Sequence, residues 1–265
     1  MADKIAQDPG KSAFEILRRD KVVTKTIRKD LHDGRLIELT NDMIEELKSP
    51  GFSDNPEWLR GAFGKVYISK EEVPGFNVRV LLKEINLKQM QQYYDTECIL
   101  ETITNEKNAA RLKHFGIVPL LGYHDDHYNQ KYYFLSPYFE NGDLFEAISK
   151  DRMLNKTTQI LLSWDIRLKI MYQVSCAIDF MHTGNIFRGT ILHLDIKSKS
   201  IVLDTHFNAR LIDFDFAREL REGEDCLEVE SFPAYQLTFT KQIDYRSFGS
   251  GKYFVFKPLC NKYIK

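Results

Sequence analysis

Apolar residues change their spacing about halfway along the chain. In the first half they gather in short β-favouring runs, and beyond Asp143 they recur at helical intervals. GAFGKVYISK and FNVRVLLKEI read as two strands, the first opened by a glycine turn, and IVPLLGYHDD and KYYFLSPYF as two more. Between these pairs residues 91–113 predict a helix, with Ile99, Ile103 and Leu112 among its apolar positions. After Asp143, DLFEAISK predicts a short helix and LLSWDIRLKIMYQVSCAIDFMHTG a long amphipathic one. Ahead of the first strand, residues 36–58 hold a capped helix. Thr40 or Asn41 supplies the cap, Glu45 or Glu46 sits in the first turns, and Pro50-Gly51 ends it. Residues 1–40 are polar and charge-rich with a short basic patch, KVVTKTIRKD, and read as a solvated N-terminal extension. No internal repeat interrupts this order.

Composition narrows the class. A chain of 265 residues can form one large domain or two lobes around a cleft. Its 43% hydrophobic and 28% charged content fits a soluble globular protein. A formal charge of −1 gives no push toward nucleic acid or an anionic membrane. Cys98, Cys176, Cys226 and Cys260 are scattered without metal spacing and read as reduced thiols of a cytoplasmic protein. No segment has the apolar length of a membrane span, and MADKIAQDPGK has no signal core.

The chemistry concentrates in residues 191–219, ILHLDIKSKSIVLDTHFNARLIDFDFARE. An Asp with a Lys two positions on (Asp195, Lys197) precedes an Asp-Phe pair at Asp213 set between apolar stretches. Such a set can orient a hydroxyl nucleophile, steady a migrating phosphoryl group and hold Mg²⁺. HLDIKSKSIVLD resembles the H-R-D-L-K-x-x-N-I-L-L-D loop of the eukaryotic protein kinases, and IDFDFARE resembles their x-D-F-G-L-A-R. LSWDIRLKIMYQVSCAIDFMH is similar to a helix of the Pelle and interleukin-receptor-associated kinases. The stretch from residue 36 resembles the lead-in to the kinase domain of plant receptor-like kinases.

This resemblance implies an α+β, bilobal kinase-like fold: a strand-rich N-lobe over residues 41–139 and a partial, helical C-lobe over 140–265, with ATP and Mg as cofactors. Asp195 is then the catalytic base and Lys197 the phosphate cation, their spacing resembling the serine/threonine-specific loop. Asp213 and Ser200 take the two metal-ligand positions. Gly61, Gly64 and Val66 belong to the phosphate-covering loop, where Leu59 stands for its first glycine. Lys83 would bridge the α- and β-phosphates and a helix acid, Glu106, with Glu101 and Glu97 on the same predicted helix. The carbonyl of Pro137 and the N–H of Phe139 would meet the adenine edge behind a small gatekeeper, Ser136. Asp143 would accept from the ribose or serve as a plain helix cap. His193 and Phe214 read as packing residues beneath the loop, and Asp244 as an anchor for its backbone.

Four departures shape the expected activity. Leu81 replaces a small alanine against which adenine packs, and a larger side chain there crowds the pocket. Ser200 replaces an asparagine, and a hydroxyl is a poorer Mg²⁺ ligand than an amide oxygen. Asp215 replaces a glycine that eases a turn. Leu194 replaces an arginine that reads activation-loop phosphate, which implies activation independent of such a phosphate. ESFPAYQ and FTKQIDYRSFGSG resemble the segments that follow in the family, with M-A-P-E missing between them and a shortened C-lobe. Three functions compete: a Ser/Thr protein kinase acting on a protein substrate in signalling, a pseudokinase acting as an interaction scaffold, and a small-molecule phosphotransferase, which the ENGDL stretch and the Pelle-like helix argue against.

Overall fold

A computed structural model describes residues 36–55, 64–154, 161–184, 188–221, 224–231 and 235–248. The chain divides into two units, one of residues 1–113 with 119–138, the other of residues 114–118 with 139–265.

The first unit is built on strands β1 (Ile37–Glu38), β2 (Ser53–Asp54), β3 (Gly64–Ser69), β4 (Val80–Asn86), β5 (Gly122–Asp126) and β6 (Lys131–Pro137). They form one sheet in the order β1-β5-β6-β4-β3-β2. The β1–β5 pair is parallel and the remaining pairs are antiparallel. Helix α1 (Asn41–Lys48) starts where Thr40 accepts the Met43 N–H at 3.3 Å. It buries Met43, Ile44 and Leu47, which join Leu39, Leu82 and Leu135 in one apolar cluster. Burial of side chains this size stabilises by about 1.5–3 kcal/mol each. A short helix, α2 (Leu87–Met90), leads by a turn into α3 (Thr96–Asn108).

Helix α3 begins later than the apolar spacing predicts, because Asp95 accepts the Cys98 N–H at 2.8 Å and sets the start. Its Ile99 and Ile103 pack with Ile85, Met90 and Phe134. The predicted strand IVPLLGYHDD is strand only in its second half. Ile117 and Val118 instead attach to Leu211 in the second unit, and Pro119 cannot donate to a ladder.

The second unit carries α4 (Leu144–Leu154) and α5 (Trp164–His182). Ser163 caps α5, whose Ile170, Val174, Ala177, Ile178 and Met181 form its buried face. A buried ion pair joins the two helices: Asp151 meets Arg167 at 2.5 Å and also accepts the N–H groups of Leu161 and Leu162. Short strands follow: β7 (Ile191–Leu192), β8 (Ile201–Leu203), β9 (Ala209–Leu211), β10 (Arg218–Glu219), β11 (Cys226–Ser231) and β12 (Tyr235–Thr240). They pair as β7–β10, β8–β9 and β11–β12, all antiparallel. The hydrophobic pattern predicts only helices here. These strands are two to six residues long, too short for a period of two to show. Helix α6 spans residues 241–248. No helix among the described residues is long and apolar enough to cross a membrane.

Candidate active site

In the first unit Lys83 stands at the centre of β4, opposite Val66 on β3 and Phe134 on β6. Its Nζ lies 3.7 Å from Glu106 Oε1, with the two side chains 26% and 13% exposed. Glu97 and Glu101 are exposed on the same helix, so the half-buried acid is the one that meets the lysine. Gly64 is fixed by close approach: a Cβ there would come 1.6 Å from the Glu84 carbonyl oxygen on β4. Gly61 and Leu59 lie outside the described residues. Leu81 and Ser136 are direct partners across β4 and β6, and Val80 faces Pro137 in the same register. Directly opposed residues share a face of the sheet, so a large side chain at 81 stands beside a small one at 136.

The second unit supplies the loop 193–200. Asp244 is fully buried on α6 and its carboxylate accepts three bonds, all at 2.8 Å: from the N–H of His193, from the N–H of Leu194, and from His182 Nε2. The loop needs this hold, because Leu194 has a φ of +64°. That region disfavours a residue with a Cβ, and such strain persists only where surrounding contacts over-determine it. His193 is fully buried as well. Its Nδ1 accepts the Asp195 N–H at 3.3 Å, which leaves Nε2 to donate to the Ile212 carbonyl at 3.1 Å. The imidazole is therefore neutral, and burial pushes its pKa below the ordinary value against the pull of Asp244, Asp213 and Asp195. Phe214 packs on the ring at 4.8 Å.

Held in this way, the loop presents Asp195 and Lys197 together, with Nζ 2.5 Å from Oδ2. Asp213 follows β9 with φ +63°, a conformation that Asp tolerates better than most residues. Asp215 is outside the left-handed region, so a glycine is not required at that position. The freedom expected of residue 215 is used two residues earlier instead. Ser200 is fully buried, and its hydroxyl lies 2.7 Å from the Asp195 carbonyl and 2.9 Å from the Lys197 N–H. Asp143 caps α4, its Oδ1 accepting the Glu146 N–H at 2.8 Å, and burial raises its pKa. Phe139 lies under Arg210, 5.4 Å from the guanidinium carbon.

Sequence reasoning missed His182. The signal was available, since a histidine closing the buried stripe of a long helix needs a polar partner, but the partner is 62 residues away.

Mg²⁺ is held by one or two carboxylates together with substrate phosphates, and Asp213 can be one. No group of three or more His, Cys, Asp or Glu side chains among the described residues is arranged as a protein cage for a metal.

The protein kinase domain model matches residues 59–241, more than half of the chain. A probable receptor-like protein kinase of Arabidopsis thaliana is 32% identical over 78% of the chain and 33% of its own length. From the same plant, a putative L-type lectin-domain containing receptor kinase is 36% identical over 63% of the chain and 24% of its own length. A probable leucine-rich-repeat receptor-like serine/threonine-protein kinase is 28% identical over 71% of the chain and 21% of its own length. The chain thus spans a third or less of the length of these curated relatives. With its pinned Asp-x-Lys loop, its Lys–Glu pair and these matches, the chain belongs to the protein kinase domain family, in the plant receptor-like and Pelle branch.

Proposed function

We propose that this chain transfers the γ-phosphoryl group of ATP to Ser or Thr hydroxyls of a protein substrate in intracellular signalling. The loop 193–200 carries the reading: Asp244 and His193 fix its backbone, and it presents a carboxylate and an ammonium side by side. Asp195 orients the substrate hydroxyl and accepts its proton. Lys197 lies against Asp195 until a phosphoryl group offers a second anion. Lys83, oriented by Glu106, binds the α- and β-phosphates. Gly61, Gly64 and Val66 cover the phosphates, Pro137 and Phe139 meet the adenine edge, and Asp143 faces the ribose. Asp213 holds Mg²⁺, which when bound neutralises charge on the phosphate oxygens.

The test is phosphate transfer from labelled ATP to Ser/Thr peptides. Asp195→Asn should lower turnover by roughly 10²–10⁴-fold. A Lys83→Met protein as active as the unmodified chain would overturn the reading.

A second reading, a pseudokinase acting as a scaffold, is favoured by two observations: a large Leu81 directly opposite Ser136 on the strand that carries Lys83, and a Ser200 hydroxyl already engaged within the loop. Melting with ATP and Mg²⁺ separates the two. A ligand bound only by the folded state adds about 2.7 kcal/mol at a hundred times its Kd. A cooperative melt unmoved by Mg-ATP supports the scaffold.

A further inference from the structure

We propose that Ser200 is a positioning residue that locks the catalytic loop and is not a ligand of the second metal. The inference rests on the kinase reading for its meaning, although its geometry stands without nucleotide. The residue is fully buried. Its hydroxyl has one proton, and the nearest acceptor is the Asp195 carbonyl at 2.7 Å, with the Lys197 carbonyl also in reach at 3.0 Å. The same oxygen accepts the Lys197 N–H at 2.9 Å. The Ser200 N–H donates to the Lys197 carbonyl at 3.0 Å. The Ser200 carbonyl accepts the Ile212 N–H at 3.0 Å, one residue before Asp213.

One serine therefore ties together the base-bearing residue, the cation-bearing residue and the approach to the metal carboxylate. The hydroxyl's proton and one of its two lone pairs are already engaged within the loop, and the lone pair that is left belongs to a neutral oxygen, a weak ligand for a hard cation. The lock therefore wins, and cation binding is left to Asp213.

The experiment has two arms. In the first, amide hydrogen exchange at Lys197 is followed in the whole chain without metal or nucleotide. Ser200→Ala should speed that exchange at least roughly tenfold while amides of α5 and β4 hold their rates. Ser200→Cys should give a smaller acceleration, because a thiol is a weaker partner. It also serves if the alanine variant does not fold. Unchanged protection of Lys197 in a folded Ser200→Ala or Ser200→Cys chain overturns the lock. In the second, the Mg²⁺ concentration that half-saturates the ATP-induced rise in melting temperature is compared. Ser200→Ala should leave it within about twofold and Asp213→Asn should abolish the rise. A large increase in Ser200→Ala would make Ser200 a ligand and overturn the proposal. If the unmodified chain shows no ATP-induced rise, the kinase reading fails at that point, while the exchange arm still decides the lock.

Discussion

Leu81 and Ser136 bring a steric change and its partial offset into one cross-strand pair. The leucine adds volume on the face where adenine is proposed to lie, and the serine leaves room beside it. Leu81→Ala should therefore tighten ATP binding, by about 1–2 kcal/mol if the overlap costs what overpacking usually does. Calorimetric titration with Mg-ATP checks this, and an unchanged Kd would mean that Leu81 already lies clear of the base. His193 makes a different statement. The unfolded chain protonates an ordinary imidazole near pH 6.5, whereas burial keeps the folded one neutral to lower pH. Its contribution to stability is thus full above about 6.5 and is lost as the pH falls through that value toward the depressed folded pKa. The melting temperature should fall from pH 7.5 to pH 5, and the fall should be shallower in His193→Asn. At this scale the sequence named both members of the Lys83–Glu106 pair and of the Asp195–Lys197 pair, because charged residues in spaced motifs leave a local trace. It could not show that the Ser200 hydroxyl turns inward, since serine fits a ligand position and a loop lock equally well in one dimension.

Among the elements, helices with side-chain caps were the most legible. Thr40 and its helix follow directly from the pattern of polar and apolar residues around them. The start of α3 was misjudged because residues 91–95 continue the helical composition, and only the Asp95 cap marks the break. Asp95→Ala should lower stability by about 1 kcal/mol through loss of that cap, read as a shift in the denaturant midpoint with an unchanged slope. Gly64 is a sharper case. The distance of 1.6 Å between an added Cβ and the Glu84 oxygen cannot be relieved by a side-chain rotation, since the obstacle is backbone. Gly64→Ala should separate β3 from β4 at that end and destabilise the sheet by at least about 1–3 kcal/mol. A melting temperature equal to that of the unmodified chain would show that β3 has room to shift. The short strands of the second unit, the β11–β12 hairpin among them, were not legible, because two to six residues carry no periodicity that outweighs chance.

For the molecule as a whole, the first unit is built on two apolar clusters and the second on the buried face of α5, yet the loop 193–200 depends on partners far away in sequence. Asp244 lies 51 residues beyond His193 and 62 beyond His182. Asp244→Asn keeps one oxygen where the carboxylate uses two, and should cost about 3–5 kcal/mol, since it leaves buried donors without acceptors. A drop in melting temperature with loss of Lys197 amide protection is the expected result. The long reach of this anchor also sets an order of events in time. Contacts of high sequence separation close late, because the chain between them must first surrender its freedom. During synthesis at about 5–20 residues per second, His193 has been waiting for some seconds when Asp244 emerges. Until then the helix and sheet clusters can already be in place while the loop between them has no fixed shape. The loop proposed to do the chemistry takes its shape only after the clusters that precede its anchor, and a newborn chain should gain its fold before it gains its activity.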